Sequence, residues 1–258
     1  MTSAEALLGV EDLSVSFGGV RAVNGVSFDI SAGGATSIIG PNGAGKTTMF
    51  NLITGAIRRD SGRVRFKGAD ITGASPAKVA SLGIARTFQD LRIFSGMTVL
   101  ENVMASFQHQ LGESPWAVFL VPGRVRHQER DLRGQAMEII KRVDLKGREH
   151  VAAGSLSYAE QKLVVIARAI AMKASVWLLD EPSSGLDTRG VAEVMGTIRN
   201  LCADGQTVVI VEHNLSVVRE ISNRILFLAE GRLIADGTPD EIFNDTALRT
   251  VYFGKGNR

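Results

Sequence analysis

Residues 40–48 read Gly40-Pro41-Asn42-Gly43-Ala44-Gly45-Lys46-Thr47-Thr48, directly after the apolar run Thr36-Ser37-Ile38-Ile39. No other stretch limits the possible folds as strongly, because the spacing G-x-x-x-x-G-K-[ST] sets a glycine-rich turn between a strand and a helix. Its glycines let successive backbone N–H groups converge on phosphate oxygens, where a Cβ would block both the turn and the close approach. The loop therefore reads as a polyphosphate cradle. Lys46 is expected to reach the β- and γ-phosphates and Thr47 to place its hydroxyl on Mg²⁺. The helix opening near Gly45 adds the positive end of its dipole.

A chain of 258 residues, 45% hydrophobic, can bury a sizeable core as one large domain or two lobes. A net charge of +2 is too small to point to a nucleic-acid partner. The basic clusters, Arg58-Arg59 and residues 124–133, are short and mixed with other residues. Cys202 is the sole cysteine, which excludes an internal disulfide and fits a reducing compartment. No apolar run approaches the roughly 18 residues that span a bilayer. Residues 1–10 carry Glu5 and no basic cluster, unlike a signal peptide. The expectation is a cytosolic chain unless something recruits it to a membrane.

Along the chain, Leu13, Val15 and Phe17 alternate with polar residues, Gly18-Gly19 turns, and Val26, Phe28 and Ile30 alternate again. This predicts an antiparallel flank ahead of the phosphate loop. A helix is expected through residues 49–54, ending at Gly55. Residues 62–68 read as a further short strand and residues 84–89 as a strand leading into a loop. Between residues 89 and 154 the spacing turns helical (Val99, Val103; Met137, Ile140, Lys141, Asp144), with Gly112, Pro115, Pro122 and Gly123 breaking any long helix. His109 and His127 lack partners at metal spacing and read as surface histidines. Trp116, beside Val118, Phe119 and Leu120, reads as packing, with an exposed partner contact as the alternative. Strands and helices alternate again from Val176: strands at 176–179, 207–211 and 225–229, and a helix whose apolar stripe runs Val191, Val194, Met195, Ile198, Leu201 and Cys202. Apolar runs of that kind belong to a mainly parallel sheet covered by helices on both faces.

The chemistry clusters where these strands end. Asp180 and Glu181 close the run Val176-Trp177-Leu178-Leu179 and so stand at the carboxyl edge of the sheet, where open α/β sheets bind ligands. Asp180 suits Mg²⁺ coordination, and Glu181 suits a general base that deprotonates an attacking water. Ser157 and Glu160 form an S-x-x-E capping box on an apolar helix, and a capped helix start is also an anion site. His213 follows strand 207–211 and either caps the next helix or contacts a γ-phosphate.

Taken in order, these motifs resemble the nucleotide-binding subunit of an ABC transporter over residues 8–237. Phe17 stands where that family stacks adenine, and residues 40–48 match its Walker A loop. Gln89 matches the Q-loop glutamine, and 156–161, with Ser157 and Ala159, the signature motif. Residues 176–181 match Walker B with Glu181 as catalytic glutamate, Ser184-Gly185-Leu186-Asp187 the D-loop, and His213 the switch histidine. The resemblance implies a P-loop NTPase α/β core (8–89 and 173–237) with an antiparallel β flank, an inserted helical lobe at about 90–172, and a helical tail at 238–258. It further implies ATP and Mg²⁺ as cofactors, with Thr47, Gln89 and Asp180 around the metal. Two subunits would pair head to tail. One supplies Phe17, Lys46, Thr47, Gln89, Asp180, Glu181 and His213; the other supplies Ser157 and Ala159.

Transmembrane permeases, and indirectly a periplasmic or extracellular substrate-binding protein, would be the partners at the cytoplasmic membrane face, with Phe94 and its neighbours in 91–97 as the candidates for docking a cytoplasmic helix and simple core packing as the alternative for Phe94. Residues 86–103, the 106–128 insertion, and Asp236-Gly237-Thr238-Pro239 leading to Val251-Tyr252-Phe253-Gly254 are most similar to branched-chain amino acid importer ATPases. A lipopolysaccharide-type exporter ATPase shares much of the tail, and a soluble non-transport ABC ATPase is a further alternative. One residue departs from the pattern: Ala159 stands where the family has glycine, and its methyl is expected to reduce turnover without abolishing it.

Overall fold

The computed structural model describes residues 6–87, 91–246 and 248. Two sheets share one apolar core with the helix that follows the phosphate loop. The first sheet is antiparallel, built from β1 (Leu8–Phe17), β2 (Val20–Ile30), β4 (Ser61–Phe66) and β5 (Ala69–Asp70), in the order β2-β1-β4-β5. The second contains β3 (Gly34–Ile39), β6 (Ile84–Arg86), β7 (Val176–Asp180), β8 (Thr207–Val211), β9 (Arg224–Ala229) and β10 (Arg232–Gly237), in the order β10-β9-β3-β8-β7-β6. Every pairing in it is parallel except β10 with β9.

Period-two alternation explains how one apolar run serves two cores. Val176 and Leu178 of β7 face α1 (Lys46–Ile53) and the antiparallel sheet. Trp177 and Leu179, between and beyond them, face the opposite side. That side is covered by α3 (Val99–Met104), α5 (Pro122–Arg142), α6 (Tyr158–Ala171) and α7 (Thr188–Ala203), whose buried residues form one continuous core with the sheet. A third cluster joins β9 to α8 (Leu215–Ile221) and α9 (Pro239–Asn244) through Phe227, Val218 and Ile242. The remaining helices are short: α2 (Pro76–Leu82) and α4 (Pro115–Leu120).

The expected break is present: α4 stops at Leu120, and Pro122 and Gly123 open α5, because a proline at the first helical turn loses no hydrogen bond the helix would have made. One reading from the sequence needs correction. The 116–120 segment does not pack: Trp116, Phe119 and Leu120 are 77%, 87% and 73% exposed.

Candidate active site

The phosphate loop is shaped first by its own fold. A Cβ on Gly40 would sit 1.9 Å from the Leu228 carbonyl oxygen of β9, and one on Gly45 would sit 2.3 Å from the Ala22 carbonyl of β2. Both glycines also have positive φ, so no side chain fits either position. Gly43, with φ +80, faces open space, leaving its backbone accessible to a ligand. Lys46 opens α1, and its Nζ donates to the carbonyls of Gly40 and Pro41 at 2.8 and 2.9 Å. Burial lowers its pKa, opposed by the nearby carboxylates of Glu181 and Asp180.

Asp180 ends β7 and reaches the same loop, accepting a 3.4 Å hydrogen bond from the Thr47 hydroxyl. It is paired with Arg86 of β6 at 3.4 Å, and both side chains are nearly solvent-free. Burial raises the Asp180 pKa, and the opposing pull of Arg86, Thr47 and Lys46 does not reverse it. Arg86 also donates to Asn51 Oδ1 at 2.6 Å, which fixes the guanidinium between β7 and α1. Thr47 and Asp180 thus present hydroxyl and carboxylate oxygens side by side, a hard donor set of the kind Mg²⁺ prefers. Gln89 lies outside the described residues.

Glu181 follows with φ +48, a left-handed conformation uncommon for a non-glycine residue. Its N–H donates to Val211 O at 2.9 Å, joining it to the end of β8. His213 stands two residues past β8, and its Nδ1 is 3.8 Å from Glu181 Oε2. Asn214, not His213, caps α8.

Sequence reasoning missed the pair that holds this turn. Lys162 of α6 is buried, and its Nζ donates to the carbonyls of Glu181 at 3.2 Å and Pro182 at 2.9 Å. Glu212, with no exposed surface, accepts from the N–H groups of Ser183 at 2.8 Å and His213 at 3.1 Å. One carboxylate therefore links the Glu181 turn to the His213 turn. Burial lowers the Lys162 pKa, while Glu212 and Glu181 oppose that shift. The only sequence signal was a Lys directly before the apolar stretch of its helix and a Glu directly after the apolar run of β8.

The other predicted residues lie elsewhere. Phe17 ends β1 with its ring half exposed. Ser157 caps α6 in the expected capping box with Glu160. With Ala159, Gly185, Leu186 and Asp187 it lines a surface cleft of about 840 Å³ whose lining contains no phosphate-loop residue. The Ala159 methyl points toward α7, where a Cβ on Gly190 would lie 3.2 Å from it. Phe94 is 48% exposed; its loop is held by buried Asn102, which donates to the carbonyls of Phe94 and Thr98 at 3.0 Å. The Arg168 guanidinium lies 5.0 Å from the Phe94 ring centroid.

The family model described as ABC transporter matches residues 23–184. The chain is 34% identical over 250 residues to the high-affinity branched-chain amino acid transport ATP-binding protein BraF of Pseudomonas aeruginosa, covering 96% of this chain and 98% of that one. A solved nucleotide-free ATP-binding cassette from an ABC transporter superposes with a TM-score of 0.82 at 32% identity, covering 97% and 100% of the two chains. An ATP-binding cassette solved as a dimer, in a post-hydrolysis state bound to ADP and Pi, superposes with a TM-score of 0.72 at 25% identity over 90% and 98%.

Proposed function

This chain belongs to the ABC transporter family, and from that premise we propose that it energises the import of branched-chain or similar hydrophobic amino acids. It is an ATPase subunit, and the convergence of Lys46, Thr47, Asp180, Glu181 and His213 at the carboxyl ends of β7 and β8 and the start of α1 carries the mechanistic reading. The cargo rests on likeness at nearly full length to a branched-chain amino acid transport ATP-binding protein.

In this reading residues 40–48 bind the polyphosphate and Lys46 neutralises the β- and γ-phosphates. Phe17 stacks on the adenine. Glu181 accepts the proton of the attacking water, and His213 orients the γ-phosphate side of the site. Mg²⁺, when bound, would be held by Thr47, Asp180 and Gln89 and supplies further charge neutralisation across the phosphates. Phosphoryl transfer chiefly needs positioning and charge neutralisation, which these groups supply. The separation of the Ser157 and Ala159 cleft from the phosphate loop supports a site completed by a second subunit, identical or related, arranged head to tail. Phe94 docks a permease at the cytoplasmic face of the membrane, with a periplasmic or extracellular substrate-binding protein as an indirect partner. No nucleic-acid contact is part of this function.

The Glu181→Gln protein tests both halves. It should lose roughly 10²–10⁴ in hydrolysis rate while still binding ATP, because the base is removed and the cradle is kept. Recovered in ATP from its own membranes, it should bring down polytopic permeases and a second ATPase subunit. Retained hydrolysis would assign the base elsewhere; recovery of an export permease would overturn the importer.

A further inference from the structure

Helix α4 carries an apolar face that no described residue of the chain buries. None of the α4 residues is buried. Trp116, Phe119 and Leu120, spaced i, i+3, i+4 on one face, are 77%, 87% and 73% exposed, with Val118 at 47% beside them. Exposed apolar side chains gathered in this way mark a contact surface rather than ordinary surface scatter. The segment is held in place: Gln128 of α5 accepts from the Leu111 N–H at 2.7 Å and donates to the His109 carbonyl at 3.3 Å, tying the turn before α4 to α5.

Charge decides between occupants. Residues 114–128 contain no acidic side chain and carry exposed Arg124 and Arg126 at the start of α5, whereas further along the helix Arg130 and Arg133 alternate with exposed Glu129 and Asp131. Side chains this exposed project outward instead of lining a groove, so they suit insertion into a soft medium better than capture of a partner's helix. Aromatic and aliphatic side chains beside a basic strip match the interface of an anionic lipid bilayer, with the apolar groups at the acyl boundary and the guanidinium groups among the phosphates.

We propose that α4 and the start of α5 form a lipid-contacting anchor that seats on an anionic membrane surface. This contact is separate from permease docking through Phe94 and does not depend on the cargo or on hydrolysis.

The test uses the full chain and vesicles of phosphatidylcholine, with or without about 30% phosphatidylglycerol. Of the two tryptophans, Trp177 is 1% exposed, so a fluorescence shift on adding vesicles reports Trp116. The expected result is co-sedimentation with the anionic vesicles, weakened by salt, together with a blue shift. Trp116→Ser/Phe119→Ser/Leu120→Ser should lose binding at least tenfold. Arg124→Gln/Arg126→Gln should weaken it roughly 30-fold at low salt, from about a fivefold loss for each arginine near the surface. Solution ATPase activity should be unchanged in both, which separates this proposal from the catalytic one. Failure of the parent protein to bind anionic vesicles, or equal binding by the triple-serine variant, would overturn it. A blue shift that follows protein concentration without vesicles would overturn it in favour of a second copy as the occupant.

Discussion

Replacing Glu212 by glutamine removes one charge and keeps nearly the same shape. The carboxylate has no exposed surface and accepts the Ser183 N–H at 2.8 Å through one oxygen and the His213 N–H at 3.1 Å through the other. In glutamine one of those oxygens becomes an NH₂, so a donor is set against a backbone donor at whichever turn it faces. Hydrogen bonds to a charged acceptor contribute about 1.5–3 kcal/mol, and a buried donor left unmatched costs a similar amount. Lys162 also loses the largest of the charges that favour its protonated form. The expected loss is about 2–4 kcal/mol, or roughly 5–15 °C in melting temperature for a chain of this size. Glu181 and His213 flank the two turns, so a displacement of about 1 Å should lower kcat on the order of 10²-fold. ATP affinity should hold, since neither turn contacts the phosphate loop through Glu212. Thermal melting, nucleotide binding and phosphate release, measured on one preparation, separate the three effects. A variant that melts within about 2 °C of the parent and hydrolyses ATP at the parental rate refutes the reasoning.

Arg86→Met should destabilise the protein by about 3–5 kcal/mol near neutral pH, because Asp180 is left as a buried charge. Burial already raises the Asp180 pKa above its unfolded value, so the folded form is favoured at low pH and loses stability as pH rises through the folded pKa. The melting difference between variant and parent should therefore be larger at pH 8 than at pH 5, and an equal difference would count against the pairing. Ala159→Gly should cost about 1 kcal/mol in helix stability and, in the proposed head-to-tail dimer, still raise turnover by removing a methyl that packs toward α7 and freeing the backbone there. An unchanged ATPase rate would remove that role for the methyl.

Local patterns carried the sequence reading furthest. The phosphate loop, the Ser157–Glu160 capping box and the strand ending at Asp180 are each specified within a few residues, and each forms where expected. Pairings across the chain were not legible. Arg86 meets Asp180 across 94 positions and Ser183 meets Glu212 across 29, and no local period records which strand lies beside which. The Trp116 segment failed for the opposite reason. A short apolar run in a globular chain is read as core by default, and nothing in residues 114–121 says that the helix carrying it lies at the periphery. The antiparallel edge strand β10 was missed because its alternation is only half-buried, so its pattern is faint beside the continuous apolar runs of β7 and β8.

Helix α6 joins what the two halves of the proposed site do. Its N-cap, Ser157, faces the cleft that the second subunit would enter, and Lys162, five residues on, holds the carbonyls of Glu181 and Pro182 in its own chain. Five residues of α-helix span about 7.5 Å, and a hydrogen-bonded helix does not stretch over that length. Lys162 is buried, so its ammonium cannot trade these acceptors for water as the helix moves. In the proposed dimer, a shift of α6 toward a nucleotide held by the partner would pull on the peptide after Glu181, a residue already held at φ +48. Glu212 couples the next residues of that turn to the His213 backbone. In the proposed head-to-tail dimer, engagement of the α6 N-terminus by the partner would be passed to Glu181 through Lys162 and on to the His213 turn through Glu212.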